Sequence, residues 1–98
     1  MSPMLPTLRQ LQYLKLLAEH ASFSRAAEAA HVSQPALSAG VQELEKVLGA
    51  PVVERTRGNV QLTAVAEARL GELSSAHLDE LSRIKPMLEE ILKRRVWP

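Results

Sequence analysis

The chain has 98 residues, of which 46% are apolar and only 3% aromatic, and its 12 basic and 11 acidic residues leave a net charge of +1. This length suits one domain with at most one appended element, and a core of Leu, Ala and Val favours a mostly α-helical fold. The absence of Cys excludes disulfides, thiolate metal sites and redox thiols. The sequence shows no signal-peptide pattern and no apolar run that could span a bilayer, so we expect a cytoplasmic, nucleoid-associated protein.

Three helices are predicted in the first half of the chain. Apolar residues at helical spacing predict a first helix over residues 8–20, with Thr7 as its N-cap. A second, short helix is expected over residues 25–30, with Ser22 or Ser24 as its cap and Phe23 as an apolar staple beside the cap. Its Ala residues allow neighbouring helices to approach closely. His31 and Val32 then form a tight turn, which leads directly into a third helix.

The third helix is expected to start after the cap Ser33 and to end at Gly49. Two short helices joined by a tight turn, with small polar residues at the start of the second, are typical of a helix-turn-helix that enters the DNA major groove. Gln can bond adenine, Ser can bond bases or phosphates, and Ala or Pro can contact a thymine methyl group. The candidate contact residues on the exposed face are Ser33, Gln34, Pro35, Ala36, Ser38, Ala39 and Gln42.

Each of these interpretations has an alternative that involves no DNA. The two helices could form an αα-hairpin whose polar face is merely solvated. Arg25 at the start of the second helix could hold a phosphate or form a salt bridge with Glu28. Net charge does not decide between them, because the basic excess lies only in residues 51–63.

Residues 51–63 are the only strand-like stretch, with Val-rich arms on either side of Arg57, Gly58 and Asn59. Gly and Asn tolerate the positive φ of a tight hairpin turn. A two-stranded hairpin after a recognition helix is a wing, and Arg55 and Arg57 could reach a minor groove or phosphates from it. Alternatively, Arg55 and Arg57 are surface residues that contact only solvent.

A long final helix is expected to follow the cap Thr63, which divides the chain into a winged helix-turn-helix at 1–63 and a linker helix at 64–98. Its apolar spacing indicates a short coiled-coil seam. Pro86 predicts a kink or break near residues 83–86. The segment could close the domain or serve as a dimerisation handle, and its length favours the handle. The candidate dimerisation residues are Leu70, Leu73, His77, Leu81, Ile84, Leu88 and Ile91.

No enzymatic pattern is present. The three His residues are too dispersed for a metal pair of the HExxH kind, and the Ser residues lie at helix starts, where capping explains them. The sequence contains neither a G-x-S-x-G motif nor a Gly-rich phosphate loop. We therefore expect no enzyme activity, no metal and no cofactor.

A set of short motifs is spread over residues 8–63: Leu8–Leu11, Phe23–Ala27, Val32–Ser38, Leu44–Glu45, Leu48–Gly49, Glu54–Thr56 and Leu62–Thr63. With these motifs, residues 8–63 resemble the N-terminal winged helix-turn-helix of LysR-type transcriptional regulators. The stretches at 18–20 and 38–40 look most similar to the OxyR branch of that family, although a chain without Cys cannot sense peroxide through a thiol.

The resemblance implies that the third helix lies in the major groove, that Arg55 and Arg57 form the wing contact, and that Arg25 and Thr63 touch phosphate. It also implies an antiparallel pair of linker helices and a large effector-binding domain. This sequence contains no such domain, which leaves open a fragment or a stand-alone protein. It departs from the family pattern at Ala39, where many members carry Arg or Lys, and in the segment after Thr63, which lacks the usual Gly.

These features predict a homodimer that reads an interrupted palindrome in double-stranded DNA, since two-fold symmetry in the protein is mirrored in the operator. Its regulatory effect would be repression by occupancy, without an effector. One alternative is an interaction protein that forms mixed dimers with a full-length LysR-type regulator through residues 64–98 and blocks it. Another is a helical module with no role on DNA.

Overall fold

The computed structural model describes residues 5–56, 59–76 and 81–93, without the side chains of Thr56 and Asn59. It confirms a mostly helical fold with one two-stranded antiparallel sheet. No helix in the described part of the chain is long and apolar enough to cross a membrane. In chain order the elements are α1 (Leu8–His20), α2 (Phe23–Ala30), α3 (Gln34–Leu48), β1 (Val53–Thr56), β2 (Asn59–Leu62), α4 (Ala64–Ser75) and α5 (Lys85–Lys93).

Helix α1 begins with a reciprocal capping box. The backbone N–H of Gln10 donates to Thr7 Oγ1 at 3.1 Å, and the backbone N–H of Thr7 donates to Gln10 Oε1 at 3.0 Å. Two N–H groups that a helix start leaves without an intrahelical partner are thereby satisfied. The same pair of bonds explains how Gln10 can be buried, because its side-chain oxygen has a partner.

Helix α2 starts two residues earlier than expected. Ser22 is its N-cap, since Ser22 Oγ accepts a hydrogen bond from the backbone N–H of Arg25 at 3.2 Å. Phe23 is therefore the first helical residue instead of an apolar staple ahead of the helix. The helix ends at His31, whose φ of 59° lies in the left-handed region, and this turn directs the chain into α3.

Helix α3 packs one apolar face against α1 and α2. Ser33 Oγ accepts a hydrogen bond from the backbone N–H of Ala36 at 3.2 Å, which confirms Ser33 as the N-cap, and Gly49 closes the helix with a φ of 71°. The buried residues repeat at the helical spacing that was predicted from the sequence. They are Leu37, Val41, Leu44 and Leu48.

Three hydrogen bonds attach the wing, which consists of β1 and β2, to the rest of the domain. Glu45 Oε2 accepts from the backbone N–H of Val52 at 2.9 Å. The Thr63 hydroxyl donates to the carbonyl of Pro51 at 2.6 Å, and the backbone N–H of Thr63 donates to the carbonyl of Val52 at 3.0 Å. Both ends of the hairpin are thus fixed to each other and to the end of α3.

The C-terminal segment is helical and interrupted, as predicted. The predicted interruption is present, but it lies upstream of Pro86: α4 ends at Ser75 and α5 begins at Lys85. Pro86 is the second residue of α5, where its missing N–H leaves no intrahelical bond unmade. Helix α5 folds back and packs against both α1 and α4, so this segment closes the domain, which is the less favoured of the two predictions.

The folding back of α5 gives the chain one continuous core. A single apolar cluster includes buried residues from 1–63 and from 64–98. Its members from the C-terminal segment are Ala66, Leu70, Leu81, Ile84, Leu88 and Ile91, each with at most 5% of its surface exposed. The division at residue 63 is therefore a boundary between elements and not between separate cores.

Candidate nucleic-acid interface

The first half of α3 presents a small, polar surface to solvent. Six of the seven predicted contact residues are exposed, and Ser38 is half-buried. This surface is opposite the apolar face of α3, so the core fixes its direction. Because none of its side chains is large, a nucleic-acid groove could approach the helix backbone closely. The exposed six are Ser33, Gln34, Pro35, Ala36, Ala39 and Gln42.

Lys46 extends this surface and was missed in the sequence analysis. It lies one helical turn after Gln42, is exposed, and shares the exposed stripe with Gln42 and Ala39. The i, i+4 spacing from Gln42 is the signal that could have identified it. A cation at this position places positive charge on a recognition surface whose predicted members are all neutral.

The strand register determines which wing residues face the helices. Arg55 lies directly opposite Val60, and Val53 lies opposite Leu62. Residues that are paired across an antiparallel ladder, and those two apart along a strand, have side chains on the same face. Val60 is buried and Leu62 is half-buried, so Arg55 is on the inward face of the wing. The Arg55 side chain nevertheless remains exposed to solvent.

An aromatic ring receives the inward-facing Arg55. The guanidinium carbon of Arg55 lies 4.2 Å from the centroid of the Phe23 ring, at cation–π distance. Phe23 is the first residue of α2, so this contact connects the wing to the start of the helix-turn-helix. Phe23 was predicted to be an apolar staple of α2, and its sequence position gives no sign of a contact with Arg55.

Gln34 and Arg55 line one shallow cleft of about 300 Å³. The N-terminal ends of α2 and α3 both reach this cleft, and helix N-termini attract anions through their partial positive charge and free N–H groups. A polar amide, a guanidinium and the hydroxyls of two Ser residues therefore converge where the recognition helix meets the wing. The other residues that line the cleft are Ala21, Ser22, Phe23, Ser24 and Val60.

Three predicted DNA contacts do not line this cleft. Arg25 is exposed, and no ion pair joins it to Glu28 within the described part of the chain, so its cation is available. Arg57 lies outside the described residues. Thr63 has its hydroxyl hydrogen committed to the carbonyl of Pro51, so in this structure it has no hydroxyl donor for a phosphate. Its hydroxyl oxygen caps α4 by accepting from the backbone N–H of Ala66 at 3.1 Å.

The predicted dimerisation residues are mostly inaccessible in a single chain. His77 lies outside the described residues, and Leu73 is half-buried. The other five, which come from α4, from α5 and from the residues just before α5, are in the core of the chain itself. They are Leu70, Leu81, Ile84, Leu88 and Ile91. In this conformation the seam is an intramolecular contact.

Acidic, His and Cys side chains do not form a group of three or more that could hold a metal ion anywhere among the described residues.

The tri-helical core, the exposed face of α3 and the adjoining hairpin define the molecule as a winged helix-turn-helix protein, the class that reads DNA through a helix in the major groove.

The chain belongs to the LysR family. Residues 8–67 match the family model described as "Bacterial regulatory helix-turn-helix protein, lysR family". The transcriptional regulator EstR of Acinetobacter baylyi is 46% identical over 84 residues, which cover 81% of this chain and 28% of EstR. The dual regulator OxyR of Escherichia coli is 41% identical over 83 residues, or 85% of this chain and 27% of OxyR. The chain thus spans little more than a quarter of these relatives.

Solved structures agree with this assignment. A complex of the CbnR DNA-binding domain with DNA is 38% identical, with a TM-score of 0.58 over 67% of this chain and 76% of that chain. A full-length OxyR variant from Pseudomonas aeruginosa is 45% identical, with a TM-score of 0.59 over 70% of this chain and 23% of that chain. The chain therefore contains a LysR-type helix-turn-helix DNA-binding domain.

Proposed function

We propose that this chain recognises a specific sequence in double-stranded DNA, with the N-terminal half of α3 in the major groove and the wing at the adjoining minor groove. The cleft shared by Gln34 and Arg55 carries this proposal, because it combines a base-reading amide with a backbone-neutralising cation. The likeness to a CbnR DNA-binding domain that was solved in complex with DNA supports DNA binding by this fold.

The surface charge is consistent with DNA recognition that depends on side-chain contacts as well as on electrostatic attraction to the DNA. The net charge of the whole chain is only +1, so long-range attraction to DNA is weak. The exposed cations near the proposed interface are Arg25, Lys46 and Arg55. Three phosphate contacts give a salt dependence with a slope of about −2.7 on logarithmic axes for each bound copy, since each contact contributes about −0.9.

The test is selection of binding sites from a random pool of DNA, followed by affinity measurements on the selected site at several salt concentrations. Enrichment of one sequence motif and a slope near that value support the proposal. Weak binding that is equal on all sequences contradicts it. A mutated copy of the selected site, with the same length and composition, is the control for nonspecific attraction.

We further propose that two copies act together on a two-fold symmetric site. Occupancy of that site by the two copies would repress transcription. The apolar residues of α5 can join two copies if α5 exchanges between them, because domain swapping replaces each intramolecular contact with the same contact between chains. The pair Lys15 on α1 and Glu90 on α5 provides a test of this exchange, because Lys15 Nζ lies 2.8 Å from Glu90 Oε2.

The absence of Cys from the chain makes a cross-linking test specific. Lys15→Cys and Glu90→Cys chains are prepared separately, mixed under native conditions and treated with a short bismaleimide. A covalent pair that forms only in the mixture supports exchange, and each variant alone is the control. Intrachain cross-linking in the double variant, with no pair in the mixture, contradicts it. A mixed dimer with a longer regulator would need the same buried α5 residues to be exchanged with a different chain, and no observation on the described residues favours that partner.

A further inference from the structure

The contact between Phe23 and Arg55 joins two parts of the DNA-binding unit that the sequence does not connect. Phe23 opens α2, whereas Arg55 is the last inward-facing residue of β1 before the hairpin turn. We propose that Phe23 is a positioning residue, whose ring holds the Arg55 guanidinium beside the start of α3 before DNA binds. This inference rests on the proposed function and specifies how its site is preorganised.

The wing needs such a contact near its tip. A two-stranded hairpin is at best marginally stable by itself, and the hydrogen bonds that attach this one involve Pro51, Val52 and Thr63 at its base. Further along the hairpin, Val60 is buried, and its cross-strand partner Arg55 lies over the Phe23 ring. The ring therefore restrains the half of the wing that is more distant from those bonds.

The arrangement also restrains the side chain that would meet the DNA backbone. A free Arg side chain loses rotamer freedom when it binds a phosphate, and a side chain already held in place loses less. A cation on an aromatic face keeps its N–H edges available, so the guanidinium can stack on Phe23 and still donate to a phosphate. Phe23 itself contacts no DNA in this proposal and acts only through Arg55.

The free protein provides the first test. Phe23 is the one Phe in the chain, so the Nε–H resonance of Arg55 should show a ring-current shift that disappears in Phe23→Leu and persists in Phe23→Tyr. This measurement involves no DNA and therefore does not depend on the proposed function. Identical Arg55 resonances in the wild type and in Phe23→Leu overturn the inference.

A double-mutant cycle on the selected DNA site provides the second test. Phe23→Leu should weaken binding about two- to five-fold, as expected for loss of a cation–π contact at an exposed site, and Phe23→Tyr should restore it. In the Arg55→Gln background, Phe23→Leu should have no further effect, because the residue on which it acts has been removed. Thermal unfolding of each variant shows whether the fold is retained.

The outcomes separate the two proposals. If the wild type shows no sequence-specific binding, the proposed function fails, while the resonance test still decides whether the ring holds Arg55. If the wild type binds specifically and Phe23→Leu weakens binding equally with and without Arg55, Phe23 is a packing residue and the inference is overturned.

Discussion

The ring of Tyr13 on α1 occupies the space that a side chain at position 40 of α3 would require. A Cβ built on Gly40 would lie 2.6 Å from Tyr13 Cδ2 and 2.7 Å from Tyr13 Cε2. This contact explains a Gly in the middle of a helix, where it costs about 1 kcal/mol relative to Ala. The helix tolerates that loss because it allows α1 and α3 to approach closely.

Replacing Gly40 with Ala should therefore destabilise the protein despite the better helix propensity of Ala. Overpacking typically costs about 1–3 kcal/mol, which offsets the propensity gain of about 1 kcal/mol and leaves a net loss of about 1 kcal/mol. In a Tyr13→Ala background the same substitution should be stabilising, since the obstructing ring is absent. Urea unfolding of the four proteins in this cycle measures the change of sign. Stabilisation by Gly40→Ala in the wild-type background would show that the ring yields freely.

Gln34→Ala should reduce discrimination at one base pair of the selected site and weaken binding by about 1–3 kcal/mol, because a bidentate contact to a base edge is lost. The salt slope should change little, since no phosphate contact is removed. Fluorescence anisotropy on the selected site and its single-base variants measures both effects. The matched control is Gln12→Ala, because Gln12 is an exposed Gln on α1. Equal losses for the two variants would remove Gln34 from the interface.

Thr63→Val should lower stability by about 0.5–2 kcal/mol without DNA present, because the variant loses the cap of α4 and the hydrogen bond to Pro51. Thr63→Ser keeps the hydroxyl group and should retain most of the stability. Urea unfolding of both variants distinguishes this structural role from the phosphate contact that the family resemblance implied. If Thr63→Val unfolds like the wild type yet binds DNA more weakly, the phosphate role is correct.

Leu88→Ala should destabilise an isolated chain by about 2–5 kcal/mol, because Leu88 is fully buried against the rest of the domain. Leu92→Ala, at a half-buried position one turn later, should cost clearly less. Denaturant unfolding at two protein concentrations separates folding from association. A Leu88→Ala chain that keeps its stability and only dissociates would return α5 to the role of a pure dimer contact.

Local sequence patterns were sufficient to predict the helix-turn-helix. Caps such as Thr7 and Ser33, the turn at His31 and the apolar face of α3 are local signals, and the structure has each of them at the predicted position. Exposure of Gln34 follows from the same periodicity, because residues opposite a buried helical face must meet solvent. Local signals of this kind specify an element and its outer face without reference to distant residues.

The direction of α5 and the position of Arg55 could not be predicted from local patterns. The apolar spacing from Leu81 to Ile91 is the same whether its partner is another chain or α1 and α4 of its own chain, and periodicity does not identify the partner. Arg55 is on the inward face of the wing because of its register with Val60, and it meets Phe23 because the tertiary fold brings the start of α2 next to the wing. Both results depend on contacts between residues far apart in the chain, and a pattern within one segment carries no information about them.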